Sequence, residues 1–491
     1  MTTIGELLPE LINTLPSESA HIKVSGVCSD SRNITGGEMF FALQGQNTDG
    51  HLWIDQAVQR GARAVVHSSP PPLPSPHAAY IRCENTRTMY SKACSRFYDN
   101  PSASLHCIGV TGTNGKTTSC WMIFQLLNML GYRCGIISGY WNGTESELTL
   151  SGSGLSTPEA SVLHRMLKEF SDAGCTHAVI EITSHALSQR TCRVEDLVLS
   201  RCLFTPFGRD HLDFHGDQQS YLLTKLHMSD LAVRDAPITC INSSTYAEHL
   251  ANRRLRTLSF REGNKQPGFI NAEPISMNEW LLSEPDRTLS VQLPDVQSFL
   301  QNNLLLALAC IWDLIPEDQR SIDLSTFECS VPGRGEVLDF PGSRRVVIDY
   351  AHNPLGFQTA FSSFSRPSGK VIALFGAAGS RDTGKRPLMA SIADSHADVI
   401  IITEEDPFGE DPRKIFLDLL FGITGKIPGK TLFVFSRRET AAAFAMSRMN
   451  PGDTLLMLGK GHEAVLRSRD GIRHCSDRLT VLRIADHMKW V

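Results

Sequence analysis

Short apolar runs of strand length alternate with helical segments through the middle of the chain. Strands are predicted at residues 105–110, 134–138, 177–182, 198–204 and 238–241, where apolar residues are consecutive and bounded by polar or turn residues. Helices are predicted at residues 116–130, 159–173 and 220–232. Strands that alternate with helices predict a mostly parallel α/β core that extends to about residue 330.

The last third repeats this alternation after the turn at Pro332-Gly333. Strands are predicted at residues 345–348, 370–375, 397–403, 431–435 and 454–458, with helices between them. The pattern predicts a second open α/β sheet, in which ligands bind at the carboxyl ends of the strands. Asp349, Glu404-Glu405 and Gly459 follow three of these strands, so we expect them at the ligand-binding edge.

The first hundred residues have a different pattern. From residue 26 to 66, short apolar runs are separated by glycine turns, and a proline-rich loop follows at residues 70–76. A helix is predicted at residues 86–98, and Asn100-Pro101 indicates a boundary. With roughly 150 residues per domain as a guide, 491 residues predict three domains, at 1–100, 101–331 and 332–491.

Composition and charge exclude several classes of function. The chain is 41% hydrophobic and 20% charged, and its formal net charge of -5 gives no overall cationic surface for nucleic acid or anionic membranes. The 13 cysteines are scattered without metal-ligand spacing, as expected for reduced thiols. No apolar run approaches the ~18 residues of a membrane span, and the N-terminus lacks the form of a signal peptide. We therefore expect a cytoplasmic protein that does not insert into membranes.

A glycine loop between a predicted strand and a predicted helix indicates phosphate binding. Gly112-Thr-Asn-Gly-Lys-Thr117 places backbone N–H groups, the Lys116 charge and the Thr117 hydroxyl in the order that binds a phosphate and Mg²⁺. The loop is shorter than the common Gly-x-x-x-x-Gly-Lys-Ser/Thr form. Taken alone, it is compatible with a kinase, a GTPase or a glycine turn beside an exposed lysine.

Further segments follow in a fixed order across nearly the whole chain. They are Thr111-Gly-Thr-Asn-Gly-Lys-Thr-Thr118, Glu181-Ile-Thr-Ser-His-Ala-Leu187, Arg209-Asp-His-Leu-Asp-Phe-His-Gly216, Pro332-Gly-Arg334, Asp349-Tyr-Ala-His-Asn-Pro354, Lys385-Arg-Pro-Leu388 and Gly459-Lys-Gly-His-Glu463. The series resembles the Mur ligase family, and within it the UDP-N-acetylmuramoyl-dipeptide ligases (MurE-type) that add the third residue of the peptidoglycan stem. The resemblance runs from about residue 30 to residue 477.

That resemblance implies a fold and a reaction. The fold is a three-domain α/β architecture, with a small N-terminal uridine-type domain, a central ATP-binding P-loop domain with a parallel sheet, and a C-terminal Rossmann-like domain. The reaction is ATP-dependent formation of an amide bond. A carboxylate of a UDP-linked sugar-peptide attacks the γ-phosphate, and an amino acid then displaces phosphate from the acyl phosphate. A monomer is expected.

Sites for ATP and metal are implied residue by residue. The ATP-binding set is Gly112, Thr113, Asn114, Gly115, Lys116, Thr117, Thr118, Asn303, Arg334, Asp349 and His352. The catalytic set is Lys116, Glu181, His211 and Lys225, and the Mg²⁺ set is Thr117, Glu181, His211 and Lys225. Lys225 aligns with a family lysine that reacts with CO₂ to form N6-carboxylysine. A carbamate is anionic and can orient the metal, whereas an ammonium would repel it. Arg334 could equally form a salt bridge at a hinge between domains.

Substrate contacts are implied in all three domains. The set is Ser31, Gln46, Asn47, Thr157, Ser184, Gln189, Arg193, Asp406, Phe408, Gly459 and Glu463. Glycine turns in a small β-rich domain remain the alternative for the first-domain segments, because polar turn residues are common.

Four segments depart from the family pattern. Phe408 stands where an arginine grips the distal carboxylate of meso-diaminopimelate, which disfavours that substrate, while Glu405 and Asp406 favour a side chain with an amine, such as lysine. Arg413 would need a loop shift to substitute. The other departures are Pro206, Leu300 at a position that contacts adenine, and two extra residues near residues 189–192. The catalytic groups are kept, and the recognition groups differ.

Three functions are therefore compatible with the sequence. The first is a cell-wall ligase that adds an unusual or basic third residue. The second is a Mur-type ligase that acts on a non-muramoyl acid in specialised metabolism, and the third is a nucleotide-binding pseudoenzyme. The retained Lys116, Thr117, Glu181, His211 and Lys225 argue against the third. A folate polyglutamate ligase is disfavoured by the uridine-type first domain.

Overall fold

Three main sheets organise the chain, one in each third, and parallel strand pairs lie at the centre of each. The computed structural model describes residues 1–13, 15, 17–45, 48–69, 74–151, 154–241, 244–250, 252–260, 268–364 and 369–490. Within these ranges, every helix is too short or too polar to span the apolar interior of a bilayer.

The N-terminal sheet has four parallel strands in the order β3-β4-β5-β6. The strands of this sheet are β3 (Val27–Cys28), β4 (Met39–Phe41), β5 (Ala64–His67) and β6 (Ala79–Arg82), and they are preceded by a separate antiparallel pair, β1 (Thr2–Thr3) and β2 (Lys23–Val24). The helices are α1 (Ile4–Leu7), α2 (Ser17–Ala20), α3 (Ile54–Gln59), α4 (Thr86–Phe97) and α5 (Pro101–Ser104). Every residue of β4 and β5 is buried, because α3 and α4 contribute to cores on the two faces of the sheet.

The central sheet has twelve strands in the order β10-β9-β8-β11-β7-β12-β13-β14-β15-β16-β17-β18. They are β7 (His106–Thr111), β8 (Cys134–Ile137), β9 (Trp141–Thr144), β10 (Glu147–Leu150), β11 (His177–Glu181), β12 (Arg201–Phe204), β13 (Ile238–Ile241), β14 (Leu255–Ser259), β15 (Phe269–Pro274), β16 (Glu279–Glu284), β17 (Arg287–Gln292) and β18 (Ser321–Asp323). The strands from β8 to β15 in this order pair in parallel, so β7 and β11 end at the same edge.

Seven helices accompany this sheet. They are α6 (Lys116–Met129), α7 (Ala160–Asp172), α8 (Ser184–Leu187), α9 (Leu212–His215), α10 (Gln218–Leu226), α11 (Thr245–His249) and α12 (Ser298–Cys310). Apolar residues of α6 and α12 form one large core with β7 and β8, and α7 contributes to a second core. Burial on both faces explains why β7, β8 and β11 are continuous apolar runs in the sequence.

The C-terminal sheet has six strands in the order β19-β20-β24-β21-β22-β23, and only β19 pairs antiparallel among the residues described. Its strands and an adjoining hairpin are β19 (Arg334–Phe340), β20 (Arg344–Asp349), β21 (Val371–Phe375), β22 (Val399–Ile402), β23 (Leu432–Val434), β24 (Thr454–Leu458), β25 (Val465–Ser468) and β26 (Gly471–His474). The helices are α13 (Pro354–Phe364), α14 (Lys385–His396), α15 (Pro412–Leu420), α16 (Arg438–Ser447) and α17 (Asp477–His487).

The α/β class predicted from the sequence is confirmed, and the predicted strands agree with the observed ones to within three residues at each end. The central sheet is less uniform than expected, because antiparallel strands flank its parallel centre on both sides. In this sheet, the strands β9, β10 and β14 to β18 were not predicted. The domain boundaries after residues 100 and 331 stay predictions.

Candidate active site

A glycine loop joins β7 to α6 at the carboxyl edge of the central sheet. Gly112 has a φ of 148°, and a Cβ there would lie 2.0 Å from Thr205 Oγ1, so no larger residue fits. Gly115 has a φ of 88° and directly precedes α6. The first N–H groups of a helix lack intrahelical partners, so this loop and the start of α6 are suited to hold phosphate oxygens.

Two lysines, the half-buried Lys116 and the buried Lys225, donate to the same carbonyl of this loop. Lys116 Nζ lies 3.2 Å from Gly112 O and 2.9 Å from Thr113 O. Lys225 Nζ, from α10, lies 2.7 Å from Gly112 O and 4.6 Å from the centre of the Tyr221 ring. Burial, together with the charge of Lys116, lowers the pKa of Lys225 well below its usual range. A neutral amine at Lys225 is therefore favoured more than for an exposed lysine.

A carboxylate lies beside the loop at the end of β11. Glu181 is 2% exposed, and its Oε2 accepts hydrogen bonds from Thr117 Oγ1 at 2.8 Å and from Gly139 N at 2.9 Å. Carboxylate and hydroxyl oxygens are the ligands that Mg²⁺ prefers. The pair Thr117 and Glu181 therefore fits a Mg²⁺ ion beside a phosphate.

His211 lies on the same cavity, just before α9, with a φ of 54°. Its ring centre is 4.8 Å from that of His185. Burial lowers the pKa of His211 well below its usual range, although Asp210 opposes this effect. A neutral imidazole can accept a metal ion or a proton.

The neighbouring Asp210 connects the central and C-terminal units. Its Oδ1 accepts from Lys385 Nζ at 2.9 Å, and its Oδ2 lies 3.2 Å from both His352 Nε2 and Asn353 Nδ2. Burial raises the pKa of Asp210, but its interactions with His211, Lys385 and His352 outweigh this effect and hold the pKa well below its usual range. The ionised carboxylate thus holds the two units together at the cavity.

The C-terminal wall presents an arginine and an aspartate. Arg334 Cζ lies 4.1 Å from the centre of the Tyr350 ring, and Arg334 Nε has no hydrogen-bond partner among the described residues. Asp349 Oδ1 accepts from Ala351 N at 2.7 Å, and burial raises the pKa of Asp349. Apolar side chains complete this part of the wall and suit a planar base: Phe299, Leu306, Leu355, Ala360 and Phe364.

These groups enclose one cavity of about 1100 Å³ between the central and C-terminal units. Twenty of the residues predicted from the sequence line it: Thr113, Asn114, Gly115, Lys116, Thr117, Thr118, Thr157, Glu181, Ser184, Arg193, His211, Lys225, Asn303, Arg334, Asp349, His352, Asp406, Phe408, Gly459 and Glu463. Residues from distant parts of the sequence thus border one cavity.

The other predicted site residues lie elsewhere. Gly112 lies beneath the loop and reaches the cavity only through its bonds to the two lysines. Gln189 is exposed and lines a separate surface depression. Ser31 belongs to the N-terminal unit, where its Oγ donates to Gln56 Oε1 at 2.6 Å. Gln46 and Asn47 lie outside the described residues.

The region of Asp406 differs from the expectation. Asp406 Oδ1 accepts from Lys460 Nζ at 2.9 Å and Asp406 Oδ2 from Arg467 Nη1 at 3.2 Å, so two cations already balance its charge. These ion pairs disfavour an attraction between Asp406 and a substrate amine, and the role of Asp406 stays a prediction. Arg413 is exposed and does not line the cavity, whereas Arg381 and Arg467 do.

Sequence reasoning missed several residues of the cavity. Asp210 and Lys385 lie inside quoted motifs but were not assigned a role. Arg467 follows the Gly459–Glu463 segment, and only the strand alternation of β25 could have directed it to the cavity. Leu300 is buried in the core behind the cavity, and Phe299 and Asn302 line the wall instead. Pro206 borders the loop, where its carbonyl accepts from Thr113 N at 2.9 Å.

Comparison with known proteins covers all three units. Three family models match: "Mur ligase family, catalytic domain" at residues 23–98, "Mur ligase middle domain" at 110–311, and "Mur ligase, glutamate ligase domain" at 333–461. A UDP-N-acetylmuramyl-tripeptide synthetase of Borreliella afzelii is 33% identical over 455 residues, which is 91% of this chain and 90% of the relative.

Solved structures agree in fold. A UDP-N-acetylmuramoyl-L-alanyl-D-glutamate–2,6-diaminopimelate ligase superposes with a TM-score of 0.62 at 25% identity and covers 100% of both chains. The MurF ligase of Thermotoga maritima, solved with ADP, superposes with a TM-score of 0.63 at 17% identity over 95% of this chain and 97% of that one.

Proposed function

Because the chain belongs to the Mur ligase family, we propose that it is an ATP-dependent ligase that joins an amino acid to the carboxylate of a UDP-N-acetylmuramoyl-dipeptide. The observation that carries the proposal is the convergence of Lys116, Lys225 and Glu181 on one glycine loop. The three-domain architecture implied by the motifs is confirmed.

ATP occupies the cavity between the central and C-terminal units in this proposal. The loop residues 112–118 hold the β- and γ-phosphates, and Arg334 approaches them from the C-terminal wall. Asn303, Asp349 and His352 contact the nucleoside. The support for this assignment is that residues 113–118 and the side chains of Asn303, Arg334, Asp349 and His352 border the cavity, beside an apolar region large enough for a base.

Magnesium fits the donors at the end of β11. Thr117 and Glu181 would supply oxygen ligands, and His211 and a carboxylated Lys225 would complete the protein's contribution. When bound, Mg²⁺ reduces the repulsion between the substrate carboxylate and the triphosphate. The neutral amine of Lys225 attacks CO₂, forms a carbamate and releases one proton. The buried position of Lys225 and its lowered pKa favour this reaction.

The chemistry proceeds in two steps. A carboxylate oxygen of the acid attacks the γ-phosphorus, the bond to the bridging oxygen breaks, and ADP leaves. The amine nitrogen of the amino acid then attacks the acyl carbon, phosphate leaves with the C–O electron pair, and the nitrogen loses a proton. Lys116 holds the charge that develops on the γ-phosphoryl group, since its ammonium lies within the loop.

Closure protects the acyl phosphate from water in this scheme. The carboxylate of Asp210 accepts from Lys385 and Asn353 of the C-terminal unit. Across the same junction, Arg209 Nε donates to Asp382 Oδ2 at 3.2 Å. A closed junction excludes solvent from the reacting carbon.

The acid substrate extends toward the N-terminal unit. Thr157, Ser184 and Arg193 contact its peptide, and Ser31 belongs to the proposed uridine site together with Gln46 and Asn47. Gln189 reaches the substrate only if its loop rearranges. A non-muramoyl acid remains the alternative, because the N-terminal contacts are the least constrained.

We also propose that the enzyme works in the cytoplasm as a monomer. All thirteen cysteines are unpaired thiols, as expected in a reducing compartment.

The proposal is tested by phosphate release from ATP and Mg²⁺ with UDP-N-acetylmuramoyl-L-alanyl-D-glutamate and a panel of about twenty amino acids. Phosphate release that requires both the acid and an amine supports the ligase. Turnover with an unrelated acid, but none with the muramoyl acid, establishes the alternative. No turnover with any pair overturns both.

A further inference from the structure

Two arginines flank a phenylalanine on the C-terminal wall of the cavity. Arg381 Cζ lies 5.5 Å from the centre of the Phe408 ring, and Phe408 N donates to Arg467 O at 3.0 Å. Phe408 has a φ of 49°, which is rare for a bulky side chain. Such strain is usually retained where the surrounding structure has a functional reason to hold a residue in place.

A hairpin directs Arg467 to this wall. Leu466 is 2% exposed and packs inward, while its neighbours Val465 and Arg467 both line the cavity. Because side chains alternate along β25, the position of Arg467 follows from the burial of Leu466. The turn between β25 and β26 carries a second arginine, Arg469, which is exposed and does not line the cavity.

Arg467 is anchored but retains free donors. Its Nη1 lies 3.2 Å from Asp406 Oδ2, and its backbone N donates to Asp406 Oδ1 at 3.0 Å. Within the part of the chain that the structure describes, Nε and Nη2 of Arg467 have no acceptor, and the side chain is 38% exposed. A guanidinium fixed at one nitrogen and open at two others is suited to bind a carboxylate.

The charges of this wall leave room for an anion. Lys460 is buried between two carboxylates, with its Nζ 2.9 Å from Asp406 Oδ1 and 2.7 Å from Glu463 Oε2. Arg467 shares Asp406, so two cations face two carboxylates there. Arg381 adds a third cation, and its contact to Asp213 is 4.0 Å long. Burial raises the pKa of the remaining carboxyl, Glu405, above its usual range.

Every amino acid carries one carboxylate, which one of the two open guanidinium groups can bind. If one of Arg381 and Arg467 binds that carboxylate, the other can bind only a substrate that has a second carboxylate. We propose that Arg467 determines the specificity of the ligase for an amino acid whose side chain ends in a carboxylate, while Phe408 packs against its methylene groups. This inference rests on the proposed function, because it assigns the amine substrate to this wall.

The test compares amino acids that differ at the end of the side chain. Lysine differs from 2,6-diaminopimelate by a single carboxylate. In a second pair, ornithine has an amine at the end of its side chain and glutamate has a carboxylate. Wild type, Arg467→Met, Arg467→Lys and the control Arg469→Met are each assayed for kcat/KM of phosphate release with each amine. Binding of the same amines is measured by calorimetry with ADP and Mg²⁺ and without the acid.

We expect wild type to prefer the carboxylate member of each pair. Arg467→Met lowers kcat/KM for that member by about ten- to a hundredfold and leaves the other member unchanged, since a hydrogen bond between two charged groups is lost. Arg467→Lys recovers part of the loss, and Arg469→Met has no effect.

Three results overturn the inference: a wild-type preference for lysine or ornithine, an unchanged amine profile in Arg467→Met, or an equal loss for both members of a pair. Calorimetry separates this failure from that of the ligase function. If no pair of substrates turns over but carboxylate amines still bind in an Arg467-dependent way, the inference stands and the proposed reaction fails.

Discussion

Lys225 Nζ lies 2.7 Å from the carbonyl oxygen of Gly112, so a lysine 113 residues downstream is tied to the phosphate loop. The same carbonyl accepts from Lys116 Nζ at 3.2 Å. Two lysines at one carbonyl repel each other when both are charged, and burial adds to the cost. The proposed carboxylation of Lys225 would remove this repulsion by replacing a cation with an anion.

We therefore predict that Lys225→Ala lowers kcat at least about a hundredfold, because it removes the proposed carbamate, whose negative charge would position the metal. Added acetate or formate restores part of the activity, since only a small negative group is required. Phosphate release measures both effects. Lys414→Ala, an exposed lysine outside the cavity, serves as the control. Full activity of Lys225→Ala without additive would contradict the carbamate.

Glu181 allows a separate test of the metal site. Glu181→Gln keeps the shape of the side chain and an oxygen that can accept from Thr117, but removes the charge that is proposed to bind Mg²⁺. We expect the Mg²⁺ concentration for half-maximal phosphate release to rise at least about tenfold. Glu169→Gln, on the exposed face of α7, should leave the Mg²⁺ curve unchanged. Identical curves for wild type and Glu181→Gln would place the metal elsewhere.

The residues that surround the proposed phosphate site could be placed together from the sequence, because the local sequence determines the geometry of the loop. A buried strand, two glycines and an apolar helix fix the loop, and parallel strands place Glu181 at the same edge as Thr117. Motif order then supplied His211 and Lys225. These features depend on short segments whose geometry has few alternatives.

The amino-acid region was not predictable in the same way. The sequence placed two carboxyls, Glu405 and Asp406, beside Phe408, which indicated an acidic pocket. The contacts of Asp406 with Lys460 and Arg467 depend on how β24 and the β25–β26 hairpin pack against the loop after β22. Pairing between distant residues sets the net charge of a site, and linear spacing does not reveal it.

Asp210 links the central and C-terminal units, and its substitution should loosen their closure. Asp210→Asn removes the charge that faces Lys385 at 2.9 Å and leaves that buried ammonium unpaired. We expect a larger radius of gyration by small-angle X-ray scattering and a KM for ATP raised about tenfold. Lys385→Met should have the same effects. Asp470→Asn, at an exposed turn, should change neither the radius of gyration nor the KM for ATP. An unchanged radius in both variants would show that other contacts hold the closed form.

The last prediction concerns the dependence of stability on pH. Arg386 is fully buried, and its guanidinium donates to Glu410 at 2.7 and 2.9 Å and to Asp418 at 2.8 Å. Hydrogen bonds from Arg386 lower the pKa of Glu410 from 4.5 to about 2. A folded-state pKa below the unfolded one means that the ion pair stabilises the protein fully above about pH 4.5 and loses its contribution as the pH falls toward about 2.

Glu410→Gln should therefore lower the free energy of unfolding at pH 7 by about 2 kcal/mol, a value reduced for partial screening by solvent. The difference in free energy of unfolding between wild type and variant should stay constant from pH 8 to about 5 and narrow below about 4.5, because Glu410 of the unfolded wild type then begins to take up a proton. Urea unfolding at a series of pH values measures both quantities, with the exposed pair variant Glu169→Gln as the control. A gap that widens as the pH falls would mean that Glu410 is not ionised in the folded protein and that Asp418 alone balances Arg386.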